Sequence, residues 1–507
     1  MKQEEKRREV NMSTKSSKSV QHYKIPEGGA DIARLLGVRP DSAVYDYNVI
    51  LPLDSGLVLP DWTLGVAQQG ITPLARGGAK AVTMKMPEGM VRYQQENIGV
   101  GEIIEASSHL PVGPAYRYPE DSVHKAMSIN NGNNIASELH GSTFIPAFST
   151  YDLQQVAEQI NGDIICTPEQ ALVFNSKVRV FRQAQSYNYN VAPFEVADNA
   201  KSVEDALGRL KRQLESRFED FDAEEAKYWV KFDSLAGGTG VMDFRPHEQD
   251  LDEISRECRN VVENCYKGYT DREIERAQQS SSSLLPENMP ILIDLDVGSI
   301  PDVKEVLRNV NVQAVCGQDG VYLTGATYQN TDDDGTYIGG VLPRTEEERR
   351  DASLAQEFAV PALEAAWDNG YRGYAGIDVL LCQTYSAGVQ GFILEMNGRI
   401  NSSTSLLHLA HWMEKQSGHN NPVAMNISLA FGEAVDYKKF EEIYSDLLFR
   451  GAETDWTGIV PIIAKPSGDG DKLSGIKTIA LSPDDGNMKN LQQEITKREK
   501  YLNGGPG

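Results

Sequence analysis

Positive charge is what this 507-residue sequence lacks: 49 lysines and arginines face 73 aspartates and glutamates, a net charge of −24. That balance excludes nucleic acid or an anionic membrane as the main partner, since both are polyanions. Any phosphate must therefore be met by a local pocket of cations. No stretch approaches the ~18 consecutive apolar residues of a spanning helix, and the opening MKQEEKRREVNMSTKSSKSV is charged throughout, without the apolar core of a signal peptide. Cysteine is also sparse. Cys166, Cys258, Cys265, Cys316 and Cys382 are dispersed, odd in number and mostly set in apolar segments, which reads as reduced thiols in a cytoplasmic protein. Residues 23–167 contain no G-x-G-x-x-G, and no glycine loop has the G-x-x-x-x-G-K-[ST] order of a P-loop. Hydrophobic residues make up 40% of the chain, enough for more than one core, and the length suggests roughly three domains.

The densest chemistry lies between Gly373 and Ser405. Two apolar runs, Ala375 to Cys382 and Gly391 to Met396, flank the polar connection Thr384 to Gln390, whose glycine predicts the turn of an antiparallel hairpin. Strand alternation puts Glu395, Asn397 and Arg399 on one face and Leu394 and Met396 on the other. A hairpin register brings Asp378 opposite that row. Two carboxylates and an amide carbonyl form a hard oxygen set suited to Mg2+ or Mn2+, with phosphate oxygens and water completing the shell. Arg399 lies one strand step further, a fixed cation aimed at developing negative charge.

A second informative stretch runs from Ala226 to Val241, where the strand KYWVKFD leads into the loop Gly237, Gly238, Thr239, Gly240. Lys231, inside an aromatic strand, needs an anionic partner. The glycines can turn backbone N–H groups toward a phosphate and let the loop close as a lid. Upstream, Thr167 and Pro168 open one helix and Asn175 or Ser176 caps the next, which places Lys177 in a first turn. A lysine there opposes the helix dipole, so it wants an anion nearby or full exposure.

The pattern G-I-D-V-L-L, a short hairpin and L-E-M-N-G-R resembles the metal-binding end of the ATP-grasp superfamily, and the resemblance covers roughly Pro168 to Phe431. It implies an α/β (α+β) chain with the ATP-grasp fold, an N-terminal Rossmann-like domain and a small C-terminal subdomain. By that resemblance Asp378, Glu395 and Asn397 are Mg2+ (or Mn2+) ligands, Arg399 is catalytic and contacts the phosphorylated carboxylate, and Lys177 and Lys231 hold the ATP phosphates, Lys231 with a catalytic role. Gly237, Gly238, Thr239 and Gly240 cover the triphosphate. The strand Pro290 to Gly298 is similar to the hinge that clasps adenine, with Asp294, Asp296 or neither as the acid for the ribose hydroxyls. The implied activity is ATP-dependent joining of a carboxylate to an amine through an acylphosphate, with amino acids or short peptides as substrates and a homodimer as a possible assembly. The arrangement is most similar to peptide-ligase members of natural-product pathways. A carboxylase or phosphotransfer member, and a nucleotide-binding module without catalysis, stay open as alternatives. One departure stands out: D-alanyl-D-alanine ligases carry a catalytic arginine two residues before the first acid, where this chain has Gly376.

In chain order, residues 1–22 read as a disordered polar leader, 23–167 as the first domain, 168–433 as the grasp domain with a lid at about 178–290, and 434–507 as a closing subdomain. Thr150 to Ile160 predicts a capped amphipathic helix with Leu153, Val156, Ala157 and Ile160 inward, and Ser202 to Phe218 another. The acidic run Asp332, Asp333, Asp334 reads as a solvated turn. Arg344, ahead of a helix capped at Thr345, can hold a substrate carboxylate or lie on the surface. Ser402 and Ser403, ahead of a helix expected to begin at Leu406, can bind an anionic substrate group or act as caps.

Overall fold

The structure, a computed structural model, describes residues 20–22, 29–46, 68–83, 86–105, 135–147, 149, 151–233, 241–266, 289–331, 337–467 and 472–502. The first short strand is β1 (Val20–His22), within the stretch expected to be a disordered leader. A parallel sheet follows, built from β2 (Ala43–Asp46), β3 (Lys80–Thr83), β4 (Ile103–Glu105), β5 (Thr143–Pro146) and β6 (Asp163–Ile164) in the order β4-β3-β2-β5-β6. The strand order reverses between β2 and β5, the doubly wound arrangement expected of a Rossmann-like domain. Alternation sorts its side chains by face. Val44, Val82, Ile104 and Phe144 pack on Leu153, Val156, Ala157 and Ile160 of helix Tyr151–Gln159. Ala43, Tyr45, Ala81 and Ile145 enter the core shared with the rest of the molecule.

A four-stranded antiparallel sheet comes next, of β7 (Phe194–Ala197), β8 (Tyr228–Phe232), β9 (Val241–Phe244) and β10 (Ile291–Leu295) in the order β7-β10-β8-β9. One face buries Tyr228, Val230, Phe232, Ile291 and Ile293 against Leu207, Leu210 and Leu214 of helix Val203–Arg217 and against Ile254 and Cys258 of helix Leu251–Tyr266. The strand expected as a hinge, β10, is an inner strand of this sheet and pairs with β7 and β8.

The remaining strands are β11 (Val303–Cys316), β12 (Val321–Thr331), β13 (Tyr337–Val341), β14 (Gly373–Thr384), β15 (Gly388–Asn397), β16 (Val423–Val435), β17 (Gly458–Pro466) and β18 (Leu473–Ser482). They form an antiparallel sheet in the order β15-β14-β11-β12-β13-β16-β18-β17, to which β1 adds in parallel along β12. The segment expected as a closing subdomain thus supplies β17 and β18 to the sheet that carries the hairpin. Helix Glu346–Asp368 lies under one face, its Ala352, Ala355, Ala359 and Ala362 letting it approach closely. Helix Ser402–Ser417 lies over the other, where Leu407 fills the space beside Gly325. Among the described residues no helix is long and apolar enough to cross a membrane.

Candidate active site

The hairpin forms as expected, with a tighter turn than the sequence suggests: β14 ends at Thr384 and β15 begins at Gly388. Asp378 and Glu395 are direct register partners. The register then slips by one residue, since Val379 faces Ile393 and leaves Leu394 unmatched. This bulge corrects the expectation that Leu394 shares a face with Met396. Leu394 packs with Phe392 and Leu380 toward the four-stranded sheet, and Met396 faces the core under helix Glu346–Asp368. Arg399 also differs from expectation, because β15 ends at Asn397. Its guanidinium folds back and donates to the Asn397 side-chain carbonyl. Gly398 between them is packed so tightly that a Cβ would stand 3.0 Å from Phe174, and its N–H donates to Asn175 Oδ1 at 2.8 Å.

Both lysines reach this place. Helix Lys177–Tyr187 is capped by Ser176, resolving the choice between Asn175 and Ser176, and the buried Lys177 ammonium stands 3.5 Å from Glu395 Oε1. Lys231, also buried, donates to Asp294 Oδ2 at 2.8 Å and lies over the Phe181 ring, 5.5 Å from its centroid. The link between the two is Asp233, which sequence reasoning missed. It sits two residues after Lys231, and its carboxylate accepts from Ser176 Oγ at 2.9 Å and from the Val178 N–H at 2.8 Å. One acid thereby ties the strand bearing Lys231 to the helix turn bearing Lys177.

Behind Asp378 stands a row of amides, also missed. Asn311 and Gln329 donate to Asp378 Oδ1 at 2.7 and 3.0 Å, Gln313 donates to Asn311, and Thr404 Oγ1 donates to Gln313 Oε1 at 2.9 Å. Burial, then the charge of Glu395, push the Asp378 carboxyl up to about 6, against the pull of Asn311, Arg399 and Gln329. Burial acts on Glu395 in the same direction, but Lys177, Arg399 and Lys231 outweigh it and hold its carboxyl below the usual range. Lys231, on another sheet, therefore shares an electrostatic environment with the hairpin acids. Among the described residues no three His, Cys, Asp or Glu side chains cluster as a metal site. The side chains here that could hold a hard cation are the two carboxylates with the Asn397 carbonyl. The charge of Glu395, which adds to burial in lifting Asp378, is what a divalent ion between the acids would relieve.

No protein-family model matches the sequence, and no curated protein matches it. Solved structures do. Biotin carboxylase from Campylobacter jejuni, in a β,γ-ATP complex, is similar over 92% of this chain and 95% of its own, with a TM-score of 0.50 and 11% identity. Carboxyaminoimidazole ribonucleotide synthase from Aspergillus clavatus, complexed with ATP, is similar over 91% and 99%, with a TM-score of 0.49 and 13% identity. Phosphoribosylamine–glycine ligase from Thermotoga maritima is similar over 90% and 96%, with a TM-score of 0.46 and 14% identity. The chain has the ATP-grasp fold.

On this ATP-grasp frame the other expected residues fall apart into three groups. Gly237, Gly238, Thr239 and Gly240 lie outside the described residues, as do Asp332, Asp333 and Asp334. Asp296 is engaged locally, accepting from Trp229 Nε1 at 2.7 Å and from the Gly298 N–H at 2.9 Å, and Asp294 is sealed against Lys231. Arg344 is exposed and stands 3.9 Å from Asp485. The helix expected at Leu406 begins at Ser402 and is capped by Asn401, whose carbonyl accepts the Ser403 and Thr404 N–H groups. The Ser403 hydroxyl is buried against Thr327 at 2.8 Å, while Ser402 is exposed. Space around Gly376 is closed too: a Cβ there would meet Asn401 at 2.5 Å and Gln313 at 2.7 Å. Position 376 cannot carry the arginine of the D-alanyl-D-alanine ligases in this packing.

Proposed function

We propose that this chain is an ATP-dependent carboxylate–amine ligase that forms an amide or peptide bond through an acylphosphate. The observation that carries the reading is the register pair of Asp378 and Glu395, with Glu395 3.5 Å from buried Lys177 and Arg399 bonded to Asn397 beside them, on an ATP-grasp fold. Lys177 and Lys231 bind the nucleotide phosphates, and the glycine segment Gly237 to Gly240 covers them. Asp294 is the resident counter-anion of Lys231 until phosphate arrives, and Asp294 or Asp296 could turn to the ribose only on release from Lys231 or from Trp229. Asp378, Glu395 and Asn397 are the ligands for Mg2+, which when bound neutralises phosphate charge and orients the γ-phosphoryl group. Arg399 and the exposed Ser402 lie at the proposed substrate end, and Ser403, whose hydroxyl is held by Thr327, supports that helix start. A substrate carboxylate oxygen attacks the γ phosphorus and ADP leaves with the bridging oxygen. The amine lone pair then displaces phosphate from the acyl carbon, and the amine gives up its proton. Arg399 stabilises the charge as it moves. Amino acids or short peptides are the proposed substrates, in small-peptide or natural-product assembly.

The test is ADP release over pools of amino acids, short peptides and small acids with Mg2+ and ATP, with products identified by mass spectrometry. Amine-dependent release is expected. Glu395→Ala and Arg399→Ala should each abolish it; near-normal turnover by either variant removes the hairpin from the mechanism. Release that needs bicarbonate and no amine moves the assignment to a carboxylase.

A further inference from the structure

The face of the large sheet that carries the metal acids does not end at the hairpin. Register extends it strand by strand: Asp378 faces Asn311, Asn311 faces Thr327 two residues before Gln329, and Gln329 faces Gly340. A Cβ on Gly340 would sit 3.5 Å from Asn426 Nδ2, so Asn426 is on this face. Its neighbour Met425 is on the other, where Gln492 of helix Asp485–Leu502 touches its sulfur. Two residues on, Ser428 faces Lys477, Lys477 faces Ile463, and Lys465 lies two residues beyond Ile463 opposite Gly475. Two lysines and a serine therefore converge beside Asn426 on the face that Asp378 and Glu395 share.

Three features separate these lysines from ordinary surface cations. In a chain of net charge −24, neither has an ion pair with any described residue, although Lys439, Lys497 and Lys227 each meet a carboxylate. Desolvation by surrounding atoms lowers the basicity of both, although Lys477 is exposed and Lys465 only half-buried, and for Lys477 the nearby Lys465 adds to the effect. The Asn426 Nδ2 donor beside them is buried without a hydrogen-bond partner among the described residues. Helix Ser402–Ser417 covers this face at Thr327 and Gly340, but Lys477 and Ser428 are exposed, and donors without acceptors among the described residues are complementary to an anion.

We propose that Lys465 and Lys477, with the Ser428 hydroxyl and the Asn426 amide, form a subsite for a carboxylate of the ligase substrate remote from the reacting one. Five strand spacings separate β14 from β18, roughly 24 Å along a flat sheet and less across a twisted one. The ligand class is thus an elongated acid or peptide with an anionic end, longer than a single amino acid. This rests on the ligase reading for the role of the subsite and not for its existence.

Two experiments decide it. First, the acetylation rates of individual lysines in the MgATP-loaded protein are followed by mass spectrometry with and without millimolar glutarate or inorganic phosphate. Lys465 and Lys477 should slow several-fold with glutarate while Lys439 and Lys497 do not. Equal slowing of all four, no slowing, or protection by phosphate alone overturns the carboxylate subsite. Second, Lys477→Ala and Lys465→Ala should raise KM for the acid substrates found by the ADP screen about tenfold to a hundredfold, with KM for ATP unchanged and Lys477→Arg near wild type. The same substrates capped as terminal amides should show no difference between variant and wild type. ADP release with unaltered KM in the alanine variants defeats the subsite and leaves the ligase standing. A wild-type protein without ADP release defeats the ligase, and the glutarate protection then decides the subsite alone.

Discussion

Asp233→Ala should loosen the turn that delivers Lys177 without touching either lysine. The Asp233 carboxylate is 7% exposed and accepts from the Ser176 hydroxyl and the Val178 N–H. Alanine leaves the Val178 N–H as a buried donor without an acceptor, a cost of about 1–3 kcal/mol, and weakens the cap by about 1 kcal/mol more. Ser176 keeps one bond, from the Arg179 N–H at 3.2 Å, so the total is about 2–4 kcal/mol. The helix Lys177–Tyr187 should then open and exchange its amides about 30- to 1,000-fold faster at tenfold per 1.4 kcal/mol. Hydrogen exchange suits this better than a melting curve, because it reads the opening of this one helix separately from the unfolding of the rest. Asp233→Asn keeps an oxygen for Val178 and removes a charge that burial already disfavours, so it should exchange like wild type. Nucleotide affinity should fall in the alanine variant and hold in the asparagine one. Unchanged exchange over residues 177–187 in Asp233→Ala would refute the coupling between strand and helix.

Lys231→Met should destabilise the protein by about 3–5 kcal/mol by stranding the Asp294 carboxylate in the core; the double variant with Asp294→Asn should recover most of that in chemical denaturation, and no recovery would mean that the pair is not the cause. Gly376→Ala should cost about 1–3 kcal/mol by driving a methyl group into Gln313 and Asn401, and it should also weaken Mg2+-dependent nucleotide binding through the amides behind Asp378. For metal-free protein, the Asp378 carboxyl is raised from 3.8 to about 6, so folding favours its neutral form. The charged form therefore carries a penalty that is absent below the unfolded value, grows between the two and is complete above 6. At 1.36 kcal/mol per unit it amounts to about 1.6 kcal/mol at pH 5 and about 3 kcal/mol at pH 8. Asp378→Asn should accordingly be more stable than wild type by an amount that rises over that range, measured by urea denaturation, while losing Mg2+-dependent stabilisation; a pH-independent difference would contradict it.

The hairpin was legible because two short-range rules sufficed. A turn between apolar runs set the pairing, and period-two alternation set the faces, so Asp378 and Glu395 meet as expected. Leu394 was misplaced because a one-residue bulge leaves no mark on composition. Arg399 was placed by extending the alternation past the end of the strand. The amide row had a signal that went unused. Asn309, Asn311 and Gln313 alternate with Val310, Val312 and Ala314, and a polar stripe within a buried strand needs something to bind. Asp233 had none. Its partners lie 57 and 55 residues upstream, and a carboxylate following a strand lysine looks like any strand end. Serines ahead of a helix suit a ligand group or a cap equally well, and the bond that occupies the Ser403 hydroxyl is to Thr327, 76 residues away in the sequence.

These cases share a cause that bears on how so acidic a chain can build the proposed phosphate site. A fully buried lysine without a partner, unlike the part-exposed Lys465 and exposed Lys477, would be expelled or deprotonated, and a surface patch of cations would be lost among 73 acids. Each site cation is instead sunk against a group that holds it: Lys177 on Glu395, Lys231 on Asp294, Arg399 on Asn397. The holding groups come from two strands in different sheets, β15 and β10, so the positive pocket exists only once the two sheets are docked. Sequence reasoning sees the cations and the hairpin acids, because each lies in a short recognisable stretch. It does not see which acid will hold which cation, because that choice is made by the long-range register of β8 against β10 and by the docking of helix Lys177–Tyr187 on β15.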